Sequence, residues 1–474
     1  MSRWIALGVI ATGLLMSVLD GSIVTVAMPA IQDDLDLSPA GLSWVVNAYL
    51  IAFGSLLLLA GRLGDLIGRK RMFLAGSAVF TLASLLAGAA TSPTMLIVAR
   101  FLQGIGSAMG AAVSLGILVT LFTEPKERAK AIAVFSFTGA AGASIGQVLG
   151  GVLTDALNWH WIFLINIPIG IAAIALAVPA LPADRGLGLG AGADVLGAFL
   201  VTAGLMSGIY AVVTLENDGG NSLLFGALAV VLLVGFVVRQ MAARNPLMPL
   251  RIFRSRSVSA ANLVQVLMVA ALFSFQVLTA LYLQKVLGYG ATETGLAMLP
   301  AALMIGAVSL GVATRLNARF GERAVLLSGL TLLIAMLLLL VRVPVQANYV
   351  VDLLPVMLLA AGFGLALPAL TTLGMSGAKQ DDAGLASGVF NTTQQIGMAL
   401  GVALLSTLAA SRTEALLDAG RSRPEALTDG YQLAYAIGAG LLVTAFVAAF
   451  VLLRQPSRIR VLPESAEVAP TPVG

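Results

Sequence analysis

The chain has 474 residues, 59% of them hydrophobic and 11% charged, with a mean hydropathy of +0.97. Soluble domains carry about 25% charged residues, so this much apolar surface cannot be kept from water and the solvent must be largely lipid. No cysteine is present and His160 is the only histidine, which excludes disulfides, thiolate chemistry and histidine-rich metal centres; the net charge of +4 reads as basic loops on one side of a membrane rather than a nucleic-acid surface.

Fourteen apolar runs follow one another. They lie at 4–28, 43–60, 73–91, 94–120, 130–154, 161–181, 195–215, 222–238, 257–283, 293–313, 324–341, 353–375, 384–409 and 431–453. Each approaches the roughly 20 residues a helix needs to cross a bilayer. Helix is the expected state because a span must satisfy its own backbone hydrogen bonds, and the runs lack the alternation of barrel strands. The first run continues from Trp4 to about Met28, so it reads as a retained span rather than a cleaved leader. Placing the N-terminus in the cytoplasm puts 21 Lys and Arg in cytoplasmic segments and five in the opposite loops. That bias predicts a multi-pass protein with both termini cytoplasmic. The preference for arginine over lysine, 22 to 5, is the pattern of a high-GC bacterial gene and predicts the inner membrane. Residues 182–194 read as a glycine-rich linker, 411–429 as an outer loop able to hold a short surface helix, and 455–474 as a disordered cytoplasmic tail.

The two halves echo each other. GRKRMFLAG (68–76) matches GERAVLLSG (321–329). Gly104 and Gly106 fall on Gly362 and Gly364, and Gly142 and Gly146 fall on Gly397 and Gly401. The repeat predicts an all-α membrane fold of two six-helix bundles, 1–181 and 243–454, with a linker and two extra helices inserted at 182–242. Arg100 and Asp65 have no charged counterparts in the second half, where Leu358 and Ala318 stand. Packing acts on both halves alike, so this asymmetry points to function.

Away from the run ends, charge inside the spans is restricted to Asp20 and Arg100. Such residues are costly in lipid and usually face a cavity or a partner. Arg100 lies about two turns into its run, so snorkelling to the helix end is the alternative. Arg100 and Gln103 share a helix face, and Gly104 with Ala108 forms a small-x-x-x-small stripe.

Several motifs resemble those of the major facilitator superfamily. GRLGDLIGRKR (61–71) is similar to its signature loop, in which Gly61 and Gly68 permit a tight turn and Lys70 and Arg71 extend the basic run. The resemblance implies that Asp65 and Arg69 clasp neighbouring helix ends and steady the outward-facing state. RFLQGIGSA (100–108) resembles the arginine motif of proton-driven exporters. GAAGASIGQVLGGVL (139–153) resembles the antiporter glycine motif, here carried by Gly142, Gly146, Gly150 and Gly151, with Gln147 where proline is common. LDGSIVTVAMP (19–29) and NWHWIFLINIPIG (158–170) resemble segments of the fourteen-helix drug:proton antiporters, with His160 where arginine is frequent. The expected fold is therefore the major facilitator fold with two additional central helices. The expected function is proton-coupled antiport of hydrophobic or amphipathic, often cationic, drugs or antibiotics.

An isolated carboxylate in hydrocarbon favours its protonated form unless a cation is near, whereas arginine keeps its charge. Asp20 is thus the expected proton carrier and Arg100 its counter-charge; a proton or a cationic substrate competing for Asp20 would give antiport. Expected cavity residues are Asn47, Gln103, Gln147, Gln265, Phe273, Gln276, Asn391, Gln394 and Gln395, each amide having helix–helix hydrogen bonding as its plain alternative. The partners are a small-molecule substrate, protons and the bilayer, with no cofactor, metal, nucleotide or nucleic acid, and the chain is expected to act as a monomer. No GxxxxGK[ST] loop is present to bind ATP. An exporter of an endogenous metabolite, lipid or amino acid on the same fold is the alternative. An intramembrane enzyme would need a nucleophile–base pair or metal cluster that this composition does not offer.

Overall fold

Apolar runs of this length close into helices wherever a cap starts them. In the computed structural model, which describes residues 3–184, 186, 188, 193–214, 219–376 and 383–453, every regular element is helical. The 455–474 tail, Lys379 and Arg185 lie outside the described residues. The first seven helices are α1 (Arg3–Asp34), α2 (Pro39–Ile67), α3 (Arg69–Gly88), α4 (Pro93–Leu121), α5 (Pro125–Ala156), α6 (Trp161–Leu164) and α7 (Asn166–Ala180). Next come α8 (Val195–Val213) and α9 (Gly219–Ala242). The remainder are α10 (Arg256–Lys285), α11 (Ala291–Ala307), α12 (Ala313–Phe320), α13 (Glu322–Leu340), α14 (Leu354–Leu358), α15 (Ala361–Ser376), α16 (Ala383–Asp418) and α17 (Arg423–Leu452). Thirteen helical stretches among the described residues are long and apolar enough to span a bilayer, and α5, at 32 residues, has the length of another. They coincide with the fourteen predicted runs.

Local chemistry sets the starts. Ser38 and Ser92 accept hydrogen bonds from Gly41 N and Met95 N, each followed by proline at the first helical turn. The outer segment at 411–429 does not form a separate surface helix. With no proline or glycine to stop it, α16 runs on to Asp418, the chain turns at Gly420 (φ +81°), and a capping box of Ser422 and Glu425 starts α17. Nor is the described part of the 182–194 linker idle. Asp184 caps α3, accepting from Arg69 N at 2.6 Å and Lys70 N at 3.2 Å.

Glycines set how closely the helices approach. Gly76 of α3 packs on α4, where an added Cβ would lie 2.7 Å from Met109 Cβ and 2.8 Å from Gly106 O. In the second half, Gly329 of α13 meets Gly362 of α15 in the same way. Gly146 and Gly150 of α5 lie against the α1 backbone at Leu19 and Ile23, and Gly397 and Gly401 of α16 lie against α10 at Val266 and Ala270. The α5 and α16 glycines thus mark equivalent packing in the two halves, whereas on α4 and α15 it is Gly106, not Gly104, that packs as Gly362 does. Gly76→Leu is expected to overpack the α3–α4 contact and lower the thermal midpoint by the equivalent of about 1–3 kcal/mol. Gly110→Ala, which meets nothing within 4 Å, should leave it unchanged; a thermal melt of the purified protein checks both.

The halves touch along α2–α16 and α5–α11, while α8 and α9 form a hairpin against α2 and α16. Asp194 anchors that hairpin. Burial alone would raise its carboxyl, but bonds from Gly197 N, Arg239 and Gln240 hold it below the usual carboxylate range. Gln240 also accepts from Met248 N at 3.0 Å, fixing the loop that leads into α10.

Candidate functional site

Asp20 sits just past the midpoint of α1 and is fully buried; Arg100 on α4 is 1% exposed. They form a direct ion pair through Arg100 Nη1 and Asp20 Oδ2. Arg100 therefore turns inward rather than snorkelling. Its Nε donates to the Val45 carbonyl on α2 at 2.9 Å, and its Nη1 also donates to Gln103 Oε1 at 2.8 Å. The other oxygen of Asp20 accepts from Gln103 Nε2 at 3.0 Å and from Asn166 Nδ2 at 3.2 Å, and Gln103 Nε2 reaches Ser84 Oγ at 2.8 Å. Two rings cover the guanidinium: Tyr49 with its centroid 4.5 Å from Cζ, and Phe163 at 5.7 Å. A buried ion pair repays its desolvation only with such additional bonds. The structure supplies them from α2, α4 and α7.

Beside this network lies a cavity of about 940 Å³ between the halves. Ser17, Gly21, Tyr49 and Phe53 line it from one side, and Phe273, Gln276, Asn391 and Gln395 from the other. It extends to Gly61, Arg62 and Asp65 at the end of α2, and to Arg244 and Asn245. At the far end the halves are joined. Gln284 Nε2 donates to the Val26 carbonyl at 2.8 Å, Lys285 bonds Gln32, and Asp155 of α5 accepts from Ala291 N and Thr292 N at the start of α11 at 3.2 and 2.7 Å. Gly151 and Gly295 let α5 and α11 meet there, with Gln147 contributing its backbone. This conformer is thus closed at the α1 C-terminal end and open toward the arginine-rich end that carries the α2–α3 loop.

The expected cavity residues divide. Phe273, Gln276, Asn391 and Gln395 line it; Gln394 does not. Gln103 belongs to the Asp20 network instead. Asn47 and Gln265 are fully buried off the cavity with neither amide atom bonded within the protein, and Gln147 is buried with its Oε1 unpaired. Asp20 itself is not part of the lining. A cation in the cavity therefore does not reach it in this conformer, and direct competition between drug and proton at this carboxylate does not describe the state seen. Asn166, Ser84, Ser107 and Tyr49 were not singled out from the sequence. Asn166 had a legible signal as an amide in an apolar run, and Tyr49 lies in WVVNAYL (44–50), a stretch that resembles the same antiporter family.

The α2–α3 loop acts inside its own half. Arg69 pairs with Asp65 at 3.3 Å and donates to the Gly116 carbonyl and Thr120 Oγ1, while Lys70 Nζ donates to the Val178 carbonyl at 2.6 Å. Gly68, at φ +100°, holds the turn against Asp184. Arg71 is exposed. His160 stacks on Trp159 and bonds the Ala90 carbonyl at 3.3 Å, away from Asp20.

The family profile of the Major Facilitator Superfamily matches residues 10–402. The chain belongs to that superfamily. Its curated relatives include a puromycin resistance protein of Streptomyces alboniger, 38% identical over 99% of this chain and 95% of the relative. A cephamycin export protein of Amycolatopsis lactamdurans is 38% identical over 86% and 85% of the two chains, and a tetracenomycin C resistance and export protein of Streptomyces glaucescens is 33% identical over 86% and 76%. Among solved structures, an autoinhibited POT family peptide transporter superposes with a TM-score of 0.68 at 18% identity, covering 97% of this chain and 99% of that one. A D-xylose–proton symporter gives 0.68 at 13%, covering 96% and 99%. At these identities the structures speak to fold alone. The superfamily's multi-pass transporter architecture is thus present throughout the described residues.

Proposed function

We propose that this chain is a proton-coupled antiporter that exports amphipathic drugs or antibiotics from a bacterial cell by alternating access. The observation that carries the reading is a fully buried Asp20–Arg100 pair set beside, but outside, a cavity of drug-sized dimensions. The names of the relatives, as resistance and export proteins, support the cargo class. The arginine bias of the open end supports placing it in the cytoplasm, so the conformer described is inward-facing. Two units, 1–181 and 243–454, rock about the cavity, with the insert at 182–242 riding against α2 and α16.

In the proposed cycle, Arg100 occupies the Asp20 carboxylate in the inward-facing state. The outward-facing state loosens that contact and Asp20 takes up a proton; return to the inward-facing state restores the pair and releases the proton to the cytoplasm. Substrate occupies the cavity in the opposite phase. The only carboxylate among the described lining residues is Asp65, already paired with Arg69. Aliphatic side chains and glycines make up most of the remaining wall, with the rings of Tyr49, Phe53, Phe135 and Phe273 and the amides of Asn245, Gln276, Asn391 and Gln395 set among them, so a substrate needs apolar area and hydrogen-bonding groups rather than a fixed positive charge.

Expression in an efflux-deficient bacterial host tests this reading. Tolerance to a panel containing puromycin, chloramphenicol and ethidium should rise at least several-fold for one or more compounds, and an uncoupler that collapses the proton gradient should remove the gain. No change across the panel, or a gain that survives uncoupling, contradicts it.

A further inference from the structure

One residue belongs to both parts of the site. Tyr49 lines the cavity, and its ring centroid lies 4.5 Å from the guanidinium carbon of Arg100. The other groups that bind Arg100 (Asp20, Val45, Gln103 and Phe163) are absent from the cavity wall. Tyr49 is itself held tightly. Its hydroxyl donates to the Ser17 carbonyl at 3.2 Å and lies 2.9 Å from Ser107 Oγ. Phe53, one turn on, packs on its ring with centroids 6.0 Å apart and also faces the cavity.

Its helix adds a second link. Arg100 bonds the carbonyl of Val45, one turn before Tyr49, so α2 holds the guanidinium by a carbonyl and a ring. The same helix packs on the second half, where an added Cβ at Gly54 would lie 2.7 Å from Gln395 Cβ and one at Gly388 would lie 2.7 Å from Leu58. When the halves move, α2 moves with that contact, and the hold on Arg100 moves with α2.

We infer that Tyr49 is the positioning residue of the proton switch: its ring keeps Arg100 seated on Asp20, and its cavity face is the surface through which a bound molecule reaches that pair. This rests on the reading of Asp20 as the proton site. The step is a proton transfer alone. When Arg100 withdraws, the Asp20 carboxylate takes a proton from water; when Arg100 returns, that proton goes back to water. Among the described residues no other charged side chain lies against the pair. Around Asp20, α4 contributes Arg100, α2 contributes Tyr49, and α6 and α7 contribute no charge. The charged residues of α5, α10 and α11 lie near helix ends, at Lys126 to Lys130 and Asp155, Arg256 and Lys285, and Glu293.

Infrared titration of the full chain in lipid nanodiscs tests this. The protonated-carboxyl band of Asp20 is identified by its loss in Asp20→Asn and followed against pH. Tyr49→Leu removes a desolvated ring–cation contact that holds Arg100 on Asp20, so its midpoint should rise by about one pH unit or more. Tyr49→Phe keeps the ring and should titrate with the native chain. If Tyr49→Leu does not fold, ring fluorination of Tyr49→Phe weakens the ring's negative face at constant shape, and the midpoint should climb with fluorine number. A native midpoint in Tyr49→Leu, or none of this dependence in the fluorinated series, overturns the inference alone. Absence of any titrating Asp20 band in the native chain overturns the proton-site reading beneath it.

Discussion

Asp20→Asn is expected to abolish proton-driven export, to the background of cells lacking the protein, while the chain still folds and binds substrate. Asparagine is nearly isosteric with aspartate. Its amide oxygen still accepts from Arg100, whose guanidinium keeps the Val45 carbonyl and Gln103 Oε1 as partners. The buried cation therefore stays hydrogen-bonded, which limits the loss of stability. What disappears is a group that can gain and lose a proton in the middle of the bundle. Without it, a pH gradient has nothing to act on, whereas downhill exchange of substrate for substrate needs no proton and should persist. Export and exchange measured side by side separate these outcomes. Full gradient-driven export by Asp20→Asn would remove Asp20 from the mechanism.

Arg100→Ala should do more damage. It leaves the Asp20 carboxylate, fully buried, with only two amide donors, from Gln103 and Asn166. Breaking a buried pair by removing one partner typically costs about 3–5 kcal/mol. Part of this is relieved because Asp20 can hold a proton permanently, and that relief itself stops transport. Arg100→Lys is not expected to rescue activity. A lysine ammonium lacks the planar fork that reaches Val45, Asp20 and Gln103 together, and it offers no flat face to Tyr49. The two effects can be separated. In the double variant Asp20→Asn with Arg100→Gln, the uncompensated charge is gone, so it should melt at a higher temperature than Arg100→Gln alone, while transport stays absent. A double variant that melts no higher would show that the pair contributes little through its charge.

Much of the fold was legible because lipid imposes simple rules. Span length, loop arginines and the glycine repeat follow from backbone satisfaction, charge asymmetry and close helix contact. Each of these is written locally in the chain. The site was legible only in part. Asp20 and Arg100 stand out in any apolar sequence, but their contact joins residues 80 apart and depends on how α1, α2 and α4 pack. The amides show the limit more clearly. A polar residue in a span announces that it has a reason to be there, not which neighbour it faces. Asn47 and Gln276 look alike in sequence. One lies fully buried off the cavity and the other in its wall, because that choice is made by how the helices pack rather than by the local sequence. The 182–194 linker carries one contact its composition does not announce. Its glycines suggest an idle connection, yet Asp184 caps α3, since an acid beside unsatisfied helix N–H groups finds a use.

The most direct measurement is exchange in proteoliposomes. The purified chain is reconstituted with a pH-sensitive dye inside, and a compound to which the protein confers tolerance is added outside with no imposed gradient. The proposal predicts that inward movement of the compound drives protons outward, so the lumen turns alkaline, and that an imposed pH gradient drives the compound uphill in the opposite direction. Neither response should occur with Asp20→Asn. Movement of the compound with no change in lumenal pH, or an equal pH response from Asp20→Asn, would contradict a proton-coupled exporter built on the Asp20–Arg100 pair.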